Sequence, residues 1–289
     1  MPRAIKIGDR WVGEGYPTYI VAEIGINHNG SMEIAEELII AAKKVGVDAV
    51  KFQKRTPELC VPEEQRNQMR DTPWGYISYM DYRKKVEFDI KEYKAIDKLC
   101  KKLELDWFAS VWDIPSVDFL EKFKPICYKV PSASLTDFEL LKYLHSKNRP
   151  VILSTGMSTM DQIREAVKVF GEENLMITHA TSAYPCDPEE LNLKMIKTLQ
   201  TEFNCPIGYS GHEVGLIPSV VTVALGACLI ERHFTLDRAM WGSDHAASVE
   251  PGGFSRLIKY VRVTEMGLGD GIKKVYESEM GSLHKLRRI

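Results

Sequence analysis

Five ionisable residues stand at the ends of short apolar segments, and their types suggest the chemistry of this chain. They are Glu23, Lys51, Lys129, His212 and His233. Two lysines among hydroxyl side chains suit a small polyanion, and two neutral imidazoles can hold a divalent metal that keeps open positions. Glu23 is then a candidate acid or base, or a partner of metal-bound water. Each residue alone is more simply explained as a solvated or hydrogen-bonded side chain, so the hypothesis depends on their common placement.

Further polar residues follow the same segments. Gln53 comes shortly after Lys51, and Glu231 comes shortly before His233. We interpret Glu231 as a structural acid that pairs with Lys51 or Arg232. The hydroxyl-bearing residues in equivalent positions are Ser110, Ser132, Ser154, Thr181, Ser182, Tyr184 and Ser210.

These residues follow eight short apolar runs, which are separated by segments long enough for amphipathic helices. Runs that are apolar throughout are typical of parallel strands buried on both faces. The runs are Tyr19–Ile24, Ala49–Phe52, Trp107–Ser110, Ile126–Val130, Val151–Ser154, Leu175–Thr178, Pro206–Tyr209 and Leu229–Arg232. Helical patterns cover Met32–Val45, with Ser31 as its predicted N-cap, and Lys91–Leu103, Asp137–His145, Met160–Phe170, Leu191–Glu202, Leu216–Gly226 and Phe254–Leu268.

Strands alternating with helices in this way predict an α/β fold, a (β/α)8 or TIM barrel. The C-terminal ends of the strands in such a barrel form one bowl, so the polar residues would converge there. The alternative is a doubly wound open sheet, which would need a glycine-rich phosphate loop after its first strand. The segment Gly25–Gly30 lacks the GxGxxG spacing of that loop, which favours the barrel.

The whole chain, residues 1–289, is expected to form a single catalytic barrel domain. Residues 1–18 are predicted to form a short N-terminal β-hairpin. Residues 56–87 are the longest stretch without periodicity, and a connection of that length in a barrel is typically a lid or binding loop. Residues 276–289 are basic and are expected to form a last helix or a tail.

Composition argues against several classes of partner. The net charge of -2 gives no overall attraction for nucleic acid or for an anionic membrane. No segment is apolar over a length that would span a bilayer, and none resembles a signal peptide. The six cysteines form no CxxC pair, so we expect reduced thiols in a cytoplasmic protein.

Several longer motifs resemble the catalytic barrel of the sialic acid synthases, the N-acetylneuraminate synthase family, which includes legionaminic and pseudaminic acid synthases. The motifs are IVAEIGINHNGS (20–31), VKFQ (50–53), YKVPSA (128–133), LSTGMS (153–158), HATSAYPC (179–186), IGYSGH (207–212) and ERHFTLDRAMWGSDHAASVEP (231–251). The resemblance implies condensation of phosphoenolpyruvate with an aldose such as N-acetylmannosamine or a related amino sugar. The products would be a 3-deoxy-2-ulosonic acid and phosphate.

The resemblance also implies roles for individual residues. His212 and His233 match ligands of a divalent metal, manganese above all, with magnesium or cobalt as alternatives. Glu23 and Gln53 match residues close to the reacting centre, and Tyr184 and Asp244 match contacts to the acceptor sugar or metal-bound water. The phosphoenolpyruvate groove would be lined by Lys51, Lys129, Ser110, Ser132, Ser154 and Ser210, with Thr181 or Ser182 nearby. A homodimer is expected.

The chain departs from the family pattern in three places. Family chains usually continue into a small antifreeze-like domain that gives an arginine to the partner's sugar site, and this chain ends about where that domain would begin. Both a naturally short member and a truncated chain remain open. Ser134 stands where an acid is common, and Gly211 stands where the family commonly has Asp. These two changes bear on the sugar contacts more than on phosphoenolpyruvate.

Three other functions remain open. An octulosonate-type synthase would use a different aldose or an aldose phosphate. A metal-dependent hydrolase or aldolase on the same barrel is disfavoured because only two histidine ligands are evident. A non-catalytic sugar-binding barrel is disfavoured because Lys51, Lys129, His212 and His233 are all present.

Overall fold

The computed structural model describes residues 3–288, within which twelve strands and twelve α-helices are defined. The strands are β1 (Ala4–Ile7), β2 (Arg10–Gly13), β3 (Tyr19–Gly25), β4 (Ala49–Lys54), β5 (Met69–Thr72), β6 (Gly75–Ser78), β7 (Asp106–Val111), β8 (Tyr128–Val130), β9 (Val151–Ser154), β10 (Leu175–His179), β11 (Ile207–Gly211) and β12 (Leu229–His233). The helices are α1 (Met32–Val45), α2 (Pro57–Cys60), α3 (Glu63–Arg66), α4 (Tyr79–Val86), α5 (Ile90–Leu103), α6 (Ile114–Glu121), α7 (Phe138–Ser146), α8 (Met160–Phe170), α9 (Met195–Glu202), α10 (Ile217–Ala224), α11 (Pro251–Leu268) and α12 (Met280–Leu286).

Eight of these strands close into a parallel barrel in the order β3-β4-β7-β8-β9-β10-β11-β12, and β12 pairs with β3 to complete the ring. The closed ring confirms the predicted (β/α)8 barrel, and each predicted apolar run overlaps one of its strands. Strands β4, β11 and β12 extend past the predicted runs to Lys54, Gly211 and His233.

The predicted helices are present with boundaries shifted by a few residues. Ser31 caps α1 as expected, since its side chain accepts a hydrogen bond from the Ile34 amide. Helix α6 was missed by the sequence prediction. It is short and only weakly amphipathic, and it starts where the Asp113 side chain accepts a hydrogen bond from the Ser116 amide.

The N-terminal end of the barrel is closed by the predicted hairpin. Strands β1 and β2 pair antiparallel, and Ile5, Ile7 and Val12 pack into one apolar cluster with the barrel. The barrel residues of that cluster include Val21, Ala49, Phe108, Cys127, Ile152, Met176 and Leu229. Because this end is filled with apolar side chains, chemistry is confined to the opposite end.

Residues 56–87, predicted from their lack of periodicity to be a lid or binding loop, contain several short regular elements. They form helices α2 and α3, the antiparallel hairpin β5–β6, and helix α4. These elements are too short for sequence periodicity to reveal them. Tyr82 of α4 lies 5.5 Å from the ring of Trp241, which follows β12. The segment therefore packs against a loop on the C-terminal side of the barrel.

The remaining C-terminal residues include helix α12, in agreement with the prediction of a last helix or tail. Across residues 3–288, every helix is too short or too polar to cross a membrane.

Candidate active site

The alternation of side chains along each barrel strand creates the candidate site. The apolar cluster at the closed end includes an inward residue from seven of the eight barrel segments, and the next inward residue of each lies two positions further along. At that level the barrel turns polar, with Glu23, Lys51, Ser110, Lys129, Ser154, Thr178 and Glu231 all buried. A layer of polar side chains therefore lies directly above the apolar layer inside the barrel. This polar layer forms the floor of the bowl.

Glu231 is the hub of a buried charge network on this floor. Lys129 Nζ donates to its two carboxylate oxygens at 3.1 and 3.2 Å, and Ser210 Oγ donates at 2.9 Å. Lys51 Nζ lies 3.7 Å away. Burial alone would raise the pKa of Glu231, but the charges of Lys129 and Lys51 hold it at about 2. Glu231 is therefore ionised and is the counter-ion of both lysines.

The predicted pairing of Glu231 is confirmed for Lys51 and wrong for Arg232. Arg232 points out of the barrel, where Nη1 donates to Glu213 Oε1 at 2.7 Å. The two residues are adjacent in β12, so they face opposite sides of the strand. The Lys129 contact is the stronger one, and the sequence offered no signal for it.

Lys51 joins this network to a second carboxylate. Its Nζ lies 2.8 Å from Glu23 Oε2 and donates to Ser110 Oγ at 2.7 Å. Gln53 Nε2 donates to the other oxygen of Glu23 at 3.2 Å. Burial raises the pKa of Glu23 above its ordinary value, and the Lys51 charge offsets only part of that effect. A buried carboxyl with a raised pKa is suited to proton transfer.

Hydroxyl groups and a backbone amide form one wall of the bowl. Ser132 Oγ donates to Ser154 Oγ at 3.1 Å and accepts from the Gly156 amide at 3.1 Å. A Cβ on Gly156 would lie 2.2 Å from Ser182 Oγ and 2.7 Å from Ser132 Oγ. Glycine at this position therefore leaves room for the Ser132 and Ser182 hydroxyls to lie beside its backbone.

His212 and His233 face each other across the bowl, with ring centroids 5.5 Å apart. His212 Nδ1 lies 2.8 Å from the Thr181 carbonyl, so it carries the proton and leaves Nε2 as a free lone pair. Burial, assisted by the charge of His233, lowers the pKa of His212 to about 3. The His233 Nδ1 atom is buried without a hydrogen-bond partner, 3.9 Å from Asp244 Oδ2.

Two neighbouring imidazoles, one with an unpartnered buried nitrogen, fit a divalent metal that takes its other ligands from water and substrate. Within residues 3–288 no cluster of three or more His, Cys, Asp or Glu side chains has the arrangement of a metal site. The protein would therefore supply only part of the coordination shell.

The predicted site residues converge on one cavity of about 220 Å³. Thr181 and Asp244 do not line it. The Thr181 hydroxyl donates to the Glu190 carbonyl at 3.1 Å, and Thr181 contacts the site only through its backbone carbonyl, which accepts from His212 Nδ1. Asp244 lies behind His233. The lining residues predicted from the sequence are Glu23, Lys51, Gln53, Ser110, Lys129, Ser132, Ser154, Ser182, Tyr184, Ser210, His212 and His233.

Sequence reasoning missed other lining residues, among them Trp112 and Met157. Trp112 lies two positions beyond Ser110, and strand alternation could have indicated it. Met157 carried no such signal, because it stands on a loop with a φ of 58°.

The structure also explains the unusual Gly211. A Cβ there would lie 2.3 Å from Glu213 Oε2 and 2.4 Å from the Tyr209 ring. Glu213 cannot easily move, since it accepts hydrogen bonds from Tyr209, Ser219 and Arg232. Any side chain at this position would disturb the segment that carries His212.

Comparisons with known proteins agree with this geometry. The NeuB family matches residues 38–273. N-acetylneuraminate-9-phosphate synthase of Mus musculus is 38% identical over 282 residues, which are 96% of this chain and 78% of that protein. N,N'-diacetyllegionaminic acid synthase of Campylobacter jejuni is 36% identical over 279 residues, 94% of this chain and 83% of that protein. The crystal structure of N-acetylneuraminic acid synthetase from Leptospira borgpetersenii in complex with citrate has a TM-score of 0.88 at 29% identity, covering 100% of this chain and 99% of that one.

The barrel, its charged bowl and these relatives define an enzyme of the phosphoenolpyruvate-dependent sugar-acid synthase class. Within that class, the chain belongs to the NeuB family. The family resemblance inferred from the sequence motifs is thereby confirmed.

Proposed function

We propose that this protein condenses phosphoenolpyruvate with an amino-sugar aldehyde to give a sialic-acid-like ulosonic acid and phosphate, in a reaction that depends on a divalent metal. One observation carries the proposal. A polyanion subsite, built from Lys51, Lys129 and the serine wall, lies in the same cavity as a pair of facing imidazoles. Such a cavity holds an anionic donor and a carbonyl acceptor side by side.

The lysines and serines bind phosphoenolpyruvate. Its carboxylate and phosphate compete with Glu231 and Glu23 for Lys129 and Lys51, while the serine wall and the Gly156 amide supply further donors. The two carboxylates neutralise the lysines before substrate arrives, which lowers the cost of burying two cations.

His212 and His233 would hold the metal, manganese or alternatively magnesium or cobalt. When bound there, a divalent ion polarises the acceptor's aldehyde as a Lewis acid. The Thr181 carbonyl orients the His212 ring by accepting from its Nδ1, and Asp244 lies 3.9 Å from His233 Nδ1 without a hydrogen bond to it. Tyr184, with its ring centroid 4.1 Å from that of His212, packs beside the acceptor.

The reaction follows from this arrangement. The methylene carbon of phosphoenolpyruvate attacks the aldehyde carbon, which forms the new carbon–carbon bond while the aldehyde oxygen gains a proton. Water adds to the former enol carbon, and Glu23 accepts the proton that this water loses. The bond from that carbon to the phosphate oxygen breaks, its electron pair leaves with the phosphate, and the added hydroxyl loses its proton to become the ketone. The two protons lost by the water balance the one gained by the aldehyde oxygen and the one carried by the free phosphate. Lys51 and Lys129 offset the charge on the departing phosphate, and holding both substrates in one bowl supplies the proximity effect.

The proposal is tested by measuring phosphate release from phosphoenolpyruvate with manganese across a panel of free and phosphorylated aldoses and acetamido sugars. Release that requires one sugar and is lost on chelation of the metal is the expected result. Release without any sugar, or binding of phosphoenolpyruvate with no release across the panel, would contradict it.

A further inference from the structure

A fully buried ion pair lies on the outer face of the barrel, next to the two histidines along the chain. The side chains of Arg232 and Glu213 are each 1% exposed, and Arg232 Nη1 donates to Glu213 Oε1 at 2.7 Å. Arg232 immediately precedes His233 in β12, and Glu213 immediately follows His212 after β11. The pair therefore joins the two chain segments that carry the imidazoles.

Arg232 also ties these segments together through the backbone. The parallel ladder between β11 and β12 ends with the pair of Gly211 and Arg232, one residue short of both histidines. Beyond that point, Arg232 Nη1 donates to the Gly215 carbonyl at 2.9 Å, and Nη2 donates to the Glu213 carbonyl. One guanidinium thus continues, by side-chain hydrogen bonds, the connection that the backbone ladder makes as far as Gly211.

The other partners of Glu213 hold its carboxylate in place. Tyr209 Oη donates to Glu213 Oε2 at 2.8 Å, and Ser219 Oγ donates to Oε1 at 2.6 Å. Tyr209 belongs to β11, and Ser219 belongs to α10. Because a strand and a helix both hold this carboxylate, Arg232 is paired with a fixed partner.

Stability alone does not explain why this ion pair is buried. Taking two charges out of water costs so much free energy that apolar residues of similar volume are often equally stable or more so. Nε of Arg232 is also buried without an acceptor anywhere in residues 3–288, which adds a further cost. The geometry that the pair imposes on its two chain segments is therefore the better explanation.

We propose that the Arg232–Glu213 ion pair is a positioning device. It fixes the distance between the rings of His212 and His233, and it thereby sets the affinity of the site for the divalent metal. This inference rests on the proposed function, in which the two imidazoles hold that metal. Because residues 3–288 contain no cluster of three or more ligating side chains, the affinity depends strongly on how well the two rings are pre-organised.

Calorimetric titration with manganese chloride measures this affinity without turnover. Arg232→Met removes the hydrogen bonds of the guanidinium and should raise the manganese Kd by roughly 10- to 100-fold, the usual effect of losing a residue that orients metal ligands. Arg232→Lys should lie between Arg232→Met and the wild type, because it keeps the charge and loses the planar fork. An unchanged manganese Kd in Arg232→Met would overturn the proposal.

A double variant separates positioning from stability. Arg232→Met leaves Glu213 as an unpaired buried charge and should therefore lower the melting temperature. Adding Glu213→Gln removes that charge and should return the melting temperature toward the wild-type value, while the manganese Kd stays raised. Recovery of the manganese affinity together with the melting temperature would overturn the proposal, because the pair would then act only through stability.

Arg149→Met is the matched control. The guanidinium of Arg149 also donates to a carboxylate and to a backbone carbonyl, those of Glu121 and Pro125. Arg149 precedes β9, so it lies at the closed end of the barrel, away from the histidines. Its replacement should change the melting temperature and leave the manganese Kd as in the wild type. A manganese Kd raised as much as in Arg232→Met would show that the effect is not specific to Arg232.

A crystal structure of the metal-free double variant gives a result that does not depend on the proposed reaction. The ring centroids of His212 and His233 are 5.5 Å apart in the native protein, and the variant should no longer hold that spacing. Lys129 and Glu231, on the floor of the bowl, should keep their contact. Rings that superpose on those of the wild type would overturn the proposal. A wild type that binds no manganese would contradict the proposed function, and the positions of the rings would then decide the role of Arg232 by themselves.

Discussion

Glu231→Gln removes the carboxylate that two buried lysines share and leaves its shape nearly unchanged. In the native protein Glu231 accepts two hydrogen bonds from Lys129 and one from Ser210, with Lys51 close by. The amide of glutamine can accept only part of this set and carries no charge. The variant therefore buries two ammonium groups with Glu23 as their remaining carboxylate.

The size of the effect follows from the pKa of Glu231. Burial alone would raise this pKa, but the lysine charges bring it from the ordinary value of 4.5 to about 2. Each pKa unit corresponds to about 1.4 kcal/mol, so ionised Glu231 stabilises the folded state by on the order of 3 kcal/mol. Because the folded pKa is the lower one, this stabilisation is present above pH 4.5 and is lost as the pH falls toward about 2.

Thermal unfolding at neutral pH measures the loss. Glu231→Gln should lower the melting temperature by about 5–10 °C, at a few degrees per kcal/mol for a chain of this size. Added phosphoenolpyruvate or phosphate should raise the melting temperature of the variant more than that of the wild type, since the anion replaces the missing countercharge.

Glu202→Gln is the control, because Glu202 forms an exposed ion pair with Arg164 and should shift the melting temperature little. An unchanged melting temperature for Glu231→Gln would show that the ion pairs of Glu231 with Lys129 and Lys51 do not stabilise the folded state. If anions raise the melting temperatures of the variant and the wild type equally, Glu231 does not act as the countercharge of the two lysines in the absence of substrate.

Three further predictions concern the histidine pair, the polyanion subsite and the loop glycine. His212→Ala should lose nearly all turnover while its thermal unfolding stays close to that of the wild type; full wild-type activity in metal-free buffer would exclude a metal role. Lys129→Ala should raise the KM for phosphoenolpyruvate far more than that for the sugar, and equal changes in steady-state kinetics would contradict the assignment. Gly211→Ala should destabilise the protein by about 1–3 kcal/mol in urea unfolding, as overpacking does, because its Cβ would lie 2.3 Å from Glu213; a stability within error of the wild type would count against that steric argument.

The barrel and most of its bowl could be predicted from the amino-acid sequence alone. Short runs that are apolar throughout are typical of parallel strands covered on both faces, and a parallel barrel brings every C-terminal strand end to one side. Polar residues such as Lys51, Lys129 and His212, placed just there in the chain, had to meet. No distance between them was needed for that conclusion.

Which of these side chains are in contact could be learned only from the folded barrel. Glu231 and Lys129 are 102 positions apart, and their contact exists because the ring closes across the barrel. Local pattern carries no information about such pairs, so Arg232 seemed as good a partner for Glu231 as any lysine.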